Sequence, residues 1–312
     1  MIETVSIVGA GALGTVVGDA LVKGLGAEKV RFLADGERLE RCREQGMRYN
    51  GERCDFRFSD GTEEGPADLL IFAVKGPALE AAMALAEPVV GPDTIILSLL
   101  GGISSEETLS LRFGWDKVLY AVTQGLAPVR EGNAVVCEGE GTLFLGLPQE
   151  DYFDREEKLS ETVAFLARAG LPVQREEDIL RRMWSQFMWN VGLGQVCLAY
   201  ETDCAGVQQP GEARETMTAA MNEVRKVSAC QGVLLTQKDL QACLAAVDAM
   251  PPAAIPAMRR DGLAGRESEV ELFAGTVLAL ASRFGMRVPA NETLHQKIKK
   301  IETNCGNPLD QG

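Results

Sequence analysis

Short apolar runs alternate with helix-like stretches through the first half of the chain. Residues 4–8, 30–34, 69–74, 94–99, 118–122 and 143–146 are apolar runs bounded by turn residues, and they predict strands. Between them, apolar positions recur every three to four residues at 13–24, 36–46 and 77–89, which predicts helices. The alternation is that of a parallel sheet covered by helices. Near Val135 the runs shorten and Gly139 and Gly141 follow, so an antiparallel edge is expected there rather than another crossover unit. A helix at 155–169 and a short strand at 172–175 complete this half. From Asp178 onward the period is helical nearly throughout, at 179–199, 213–231, 237–249, 269–284 and 292–302, with Pro251 and Pro252 as punctuation. The change of texture puts a domain boundary near residue 176, giving domains 1–176 and 177–312.

The first predicted strand runs into Gly9-Ala10-Gly11-Ala12-Leu13-Gly14, a G-x-G-x-x-G that also opens the first predicted helix. In that context the first glycine permits the tight turn, the second lets a pyrophosphate approach the backbone, and the third lets helix and strand pack closely. The helix N-terminus adds unpaired N–H groups and the positive end of its dipole. Gly9, Ala10, Gly11, Ala12, Leu13 and Gly14 are therefore candidate dinucleotide ligands. The predicted architecture is α/β, an N-terminal Rossmann doubly wound sheet followed by an all-helical C-terminal domain. Asp35 stands just past the second strand, about 20 residues beyond the turn, where a carboxylate accepts from ribose hydroxyls and repels a 2′-phosphate. That favours NAD over NADP. Asp35-Gly36 is also a strong turn dipeptide, and Arg38 and Arg43 stand close enough to receive a phosphate, so both cofactors stay open.

At 312 residues the chain suits two domains, each able to bury a core. With 46% hydrophobic and 24% charged residues it reads as globular, with disorder expected only at the extreme C-terminus. A formal charge of −14, from 45 acidic and 31 basic residues, disfavours nucleic-acid and membrane partners. No apolar stretch reaches the roughly 18 residues of a membrane span, and the apolar start lacks a basic n-region, so the expected location is cytoplasmic. Eight scattered cysteines without a C-x-x-C, and a single histidine, argue against a zinc site or a disulfide framework, and no metal is expected. His295 reads as a solvated histidine on a surface helix. The apolar stripes at 213–231 and 271–284 read as core by default, with a homodimer face as the alternative.

Beyond the glycine turn, a run of segments resembles the ketopantoate reductases (2-dehydropantoate 2-reductases) from Ile7 to Glu302. They are Val74-Lys75, Leu100-Gly101-Gly102, Gly139-Glu140-Gly141 with Leu145-Gly146, Trp184 with Asn190, Met258 with Asp261, Gly265-Arg266-Glu267-Ser268-Glu269, Gly275, and Pro289-Ala290-Asn291. The resemblance implies an NADPH-dependent reduction of a small 2-keto acid to the 2-hydroxy acid, with a helical domain enclosing the site. It also implies Val74, Lys75 and Gly101 beside the cofactor, Asn190, Gly194, Ala257 and Asp261 at the substrate, and Glu269 as a substrate-binding carboxylate.

Several of these positions depart from the family pattern. Its proton-donating lysine is Gln186 here, and the second asparagine of its helical row is Gly194, with Gln195 one residue out of phase. The asparagine after the fourth strand is Gly101, and the substrate-binding serine is Ala257. An amide cannot act as an acid near neutrality. Gln186 is thus expected to hydrogen-bond the carbonyl oxygen, and Lys75, its pKa lowered by burial beside the cofactor, is the substitute acid where it does more than contact the cofactor. Catalytic candidates are Lys75, Gln186, Asn190 and Glu269. The alternative is a catalytically degraded homologue that keeps the dinucleotide as a sensor or scaffold.

Overall fold

The computed structural model describes residues 1–62, 65–139 and 141–305. The expected C-terminal disorder, and Glu140 of the Gly139-Gly141 segment, lie outside the described residues. Among those described, the strands are β1 (Val5–Val8), β2 (Val30–Leu33), β3 (Arg48–Tyr49), β4 (Glu52–Arg53), β5 (Arg57–Ser59), β6 (Leu69–Phe72), β7 (Ile95–Ser98), β8 (Val118–Gln124), β9 (Val129–Glu131), β10 (Ala134–Val136), β11 (Thr142–Gly146) and β12 (Val173–Arg175). By contact the chain divides into two compact units, residues 1–100 with 104–180, and residues 101–103 with those from Arg181 on.

In the first unit, eight strands form one sheet in the order β12-β11-β8-β7-β6-β1-β2-β5. The strand order reverses at β1, which pairs in parallel with β2 on one side (Val8↔Leu33) and with β6 on the other (Val8↔Phe72). The helices of this unit are α1 (Ala12–Leu25), α2 (Gly36–Gln45), α3 (Leu79–Ala86), α4 (Ser105–Phe113) and α5 (Glu156–Arg168). Strand alternation splits the core between the two faces. Ile7, Leu69, Ile71 and Leu97 pack with Val17 and Leu21 of α1 and Phe165 of α5. Val8, Leu70, Phe72 and Ile96 pack with Met83 of α3 and Leu109 of α4. Both faces are covered, which is why β6 is apolar at every position and β1 and β7 at all but one, rather than at every second one. Each such side chain withdrawn from water contributes about 1.5–3 kcal/mol.

The antiparallel neighbour in this sheet is β11 against β8 (Phe144↔Val122), and not the Val135 segment. That segment, β10, does pair antiparallel, with β9 (Val135↔Arg130), and pairs in parallel with β3, but in a separate four-stranded sheet. The short strands β3, β4 and β5 and the helix α4 have no counterpart in the sequence pattern.

The second unit is helical. α6 (Ile179–Trp189) leads through a π-helical turn at Asn190–Gly194 into α7 (Gln195–Ala199). α8 (Cys204–Gln208), α9 (Glu212–Cys230), α10 (Gln237–Asp248) and α11 (Ala257–Leu263) follow, then a second π turn at Glu271–Gly275, α12 (Thr276–Arg283) and α13 (Pro289–Cys305). Phe187, Val191, Val196, Met217, Met221, Val224, Ala274, Val277, Leu294 and Ile298 are fully or almost fully buried. Glu223 of α9 caps α13, accepting from the backbone N–H of Ala290 (2.9 Å) and Asn291 (3.0 Å) and from Asn291 Nδ2 (2.8 Å). The buried carboxylate so satisfies the orphan donors at that helix start. Among the described residues no helix is long and apolar enough to cross a membrane.

Candidate functional site

The glycine turn sits at the C-terminal end of β1, where the strand order reverses and α/β sheets bind ligands. Gly9 has φ +107°, and a Cβ there would lie 2.5 Å from the Ala73 carbonyl oxygen and 2.9 Å from Val74 Cγ1. A Cβ on Gly14 would lie 2.0 Å from the Gly9 carbonyl oxygen, so α1 packs on the turn only through glycine. Gly11 differs from both. Its φ of −84° is open to any residue, and its Cβ would meet only the Ala73 carbonyl oxygen at an ordinary 3.7 Å.

The protein's own packing therefore asks for glycine at positions 9 and 14 but not at 11. Gly11 is the N-cap of α1, with no side-chain cap and no acidic residue in the first turn, and Ala12 and Leu13 are half-buried. Arg130 Nη1 donates to the Ala10 carbonyl at 2.8 Å and pins the turn. An uncapped helix start with bare backbone on its approach fits a pyrophosphate, which needs N–H donors and no intervening Cβ.

Asp35 follows β2 at the same sheet edge, since Val8 pairs with Leu33. It is exposed, extended (φ −129°, ψ 167°), and starts α2 without a side-chain cap bond. Val74 packs over Gly9. Lys75 is exposed and opens a 3₁₀ turn in which the Ala78 N–H donates to its carbonyl at 3.0 Å.

A buried polar chain lies at the end of β7. Ser98 Oγ accepts the Leu100 N–H (3.3 Å) and shares a hydrogen bond with Ser105 Oγ (2.7 Å), which reaches Glu106 Oε2 (3.0 Å). Glu106 is 1% exposed, its Oε1 has no hydrogen-bond partner, and burial pushes its carboxyl up to about 7 against its own N–H and the Ser105 hydroxyl. Nothing in the sequence marks this group, because Ser104-Ser105-Glu106-Glu107 has the composition of an ordinary solvated helix start.

In the second unit the helical row begins with an (i, i+4) pair. Gln186 Nε2 donates to Asn190 Oδ1 at 3.3 Å, and Asn190 Nδ2 donates to the Gly101 carbonyl at 2.9 Å. Four residues of ideal α-helix overshoot a full turn by about 40°. The wider turn at Asn190–Gly194 turns the chain less per residue and so acts against that drift. Gly194 faces Met258, where a Cβ would lie 3.6 Å from Met258 Cβ, an ordinary contact.

Gln195 is fully buried and belongs to the scaffold. It donates from Nε2 to the Val191 carbonyl (3.0 Å) and accepts the Ala274 N–H (3.0 Å), joining the two π turns. Ala257 is exposed at the start of α11. Asp261 is 2% exposed, and its Oδ1 accepts from Arg266 Nε and Nη2, each at 2.9 Å. Glu269 is half-buried just ahead of the second π turn. His295 is half-buried rather than solvated, with Nε2 3.1 Å from Glu271 Oε1.

The model of the ketopantoate reductase PanE/ApbA family matches residues 5–150, and that of its C-terminal domain matches residues 178–302. A 2-dehydropantoate 2-reductase of Archaeoglobus fulgidus is 28% identical over 304 residues, covering 97% of this chain and 99% of that one. The crystal structure of 2-dehydropantoate 2-reductase from Geobacter metallireducens superposes with a TM-score of 0.83 at 26% identity, over 95% of this chain and 99% of that one. D-mandelate dehydrogenase, in its ternary structure with NADH and anilino(oxo)acetate, gives 0.87 at 21% identity, over 97% and 99%, a likeness of fold. With the two family models spanning most of its length, the chain belongs to the ketopantoate reductase family.

Proposed function

We propose that this protein is an NAD(P)-dependent reductase that converts a small 2-keto acid, ketopantoate or a related carbonyl compound, to the 2-hydroxy acid. Residues 1–176 bind the dinucleotide and residues 177–312 the substrate. The observation that carries the reading is Gly11, a glycine that the chain's own sterics do not require, at an uncapped helix start beside Asp35. Gly9 to Gly14 hold the pyrophosphate through backbone N–H groups, Val74 and Lys75 border the cofactor, and Asp35 takes the ribose hydroxyls, which favours NAD. When bound, the reduced nicotinamide supplies the hydride.

On the substrate side, Gln186 and Asn190 present amide N–H groups to the carbonyl oxygen, and Glu269 binds the substrate. Gln186 stabilises developing negative charge without giving up a proton, so the proton comes from water or from Lys75. Lack of a positioned acid costs typically about 10²- to 10⁴-fold in rate. The same substitution favours a second reading, a homologue that binds the dinucleotide and turns nothing over. A spectrophotometric assay of ketopantoate with NADH and NADPH in parallel separates them. Faster oxidation of NADH is expected. Oxidation of NADPH alone would refute the role given to Asp35, and silence with both cofactors despite measurable binding would favour the second reading.

A further inference from the structure

Gly101 is held by the amide of Asn190 more closely than any other residue type would allow. Asn190 Nδ2 donates to the Gly101 carbonyl at 2.9 Å, while a Cβ on Gly101 would lie 2.7 Å from that nitrogen, closer than real Cβ atoms come to another heavy atom. The outlet is the Asn190 side chain itself, and moving it breaks both its bond to the Gly101 carbonyl and the one its Oδ1 accepts from Gln186 Nε2. The backbone at Gly101 has no positive φ, so its glycine answers to this contact and not to a turn.

We infer that Gly101 is a specificity-determining residue: by lacking a Cβ it lets Asn190 close on its carbonyl, which fixes the Asn190 amide and, through it, Gln186. The inference rests on the substrate site proposed above. An amide nitrogen carries two N–H groups. One on Asn190 goes to Gly101 and one on Gln186 goes to Asn190, which leaves one uncommitted on each. Two neutral donors held in fixed relation suit the carbonyl and carboxylate oxygens of a 2-keto acid, which only accept. Any side chain at 101, an asparagine included, displaces Asn190 and releases both amides. Gly101, Asn190 and Gln186 are thus one arrangement rather than three separate departures from the family pattern. Because neither amide titrates, the arrangement works equally across the neutral pH range.

The test is a double-mutant cycle on Gly101→Ala and Asn190→Ala in the full chain. It is read by KM and kcat for ketopantoate with the preferred nicotinamide, by NADH affinity from fluorescence, and by thermal midpoint. In the wild-type background, Gly101→Ala is expected to raise KM for the keto acid about tenfold, with NADH affinity measured separately so that a change at the cofactor is not read as one at the keto acid. In the Asn190→Ala background the group that the new methyl would strike is gone, and adding Gly101→Ala changes KM by less than about twofold. KM effects that multiply across the cycle would overturn the inference. Should no variant, nor the parent, reduce any keto acid, the reductase reading fails. The thermal cycle then decides the contact on its own, with non-additive midpoints supporting it and additive midpoints removing it.

Discussion

At the scale of single residues, the three glycines of the turn do different work, and that difference can be measured. Gly14 is fixed by the 2.0 Å approach of its absent Cβ to the Gly9 carbonyl, whereas Gly11 has only an ordinary contact at 3.7 Å. Gly14→Ala is therefore expected to lower stability by about 2 kcal/mol or more, as overpacking does, in a urea titration. Gly11→Ala should shift stability by no more than about 0.5 kcal/mol yet weaken NADH at least about tenfold by fluorescence. A Gly11→Ala chain that binds NADH like the parent would end the assignment of the pyrophosphate to this turn. The turn was legible in the sequence because its steric demands are local. The closing of Asn190 on Gly101 was not, because it depends on where a stretch of backbone 89 residues away arrives.

Among the elements, the long apolar-periodic ones agree with the sequence pattern, and the short or locally distorted ones do not. β3, β4 and β5 are two or three residues long, too short to show a period. α4 begins on buried serine and glutamate where a pattern would ask for apolar residues. The π turns are invisible as well, since one widened turn barely alters a 3.6-residue period. Both lie at or beside predicted site positions, Asn190 and Gly194 in one and Glu269 ahead of the other. Gln195 joins them with both ends of its amide. Gln195→Ala leaves a buried N–H and carbonyl unpaired and opens a cavity, an expected loss of about 2–4 kcal/mol in chemical denaturation. A loss under about 0.5 kcal/mol would show that the π turns do not need this bridge.

Over the whole molecule, two sets of carboxyls pull stability in opposite directions with pH. Asp68, Asp151, Asp239 and Glu302 are each penalised by burial, but donors from Glu3 and Thr4, Arg155, Thr236 and Ser268 more than offset it and hold them below the usual carboxylate range. Their contribution is present above the unfolded values and is lost as acid protonates them. Glu106 runs the other way. Its folded value of about 7 lies above the unfolded 4.5, so its contribution is complete in acid and is lost as pH rises between the two. That loss is at most about 3 kcal/mol. The thermal midpoint is therefore expected to peak at about pH 5–6, and Glu106→Gln to flatten the descent from there to about pH 7.5. Parallel curves for the two proteins over that window would remove Glu106 from the account.

By itself the sequence determined the apolar strands, the amphipathic helices, the change to an all-helical second half and the glycine turn, because each follows from spacing within a few residues. Only the tertiary structure decided which sheet takes β10, why Gly11 differs from its neighbours, and that Gly101, Asn190 and Gln186 form one hydrogen-bonded set. Those outcomes depend on distances between residues far apart in the chain, and periodicity carries no such distances.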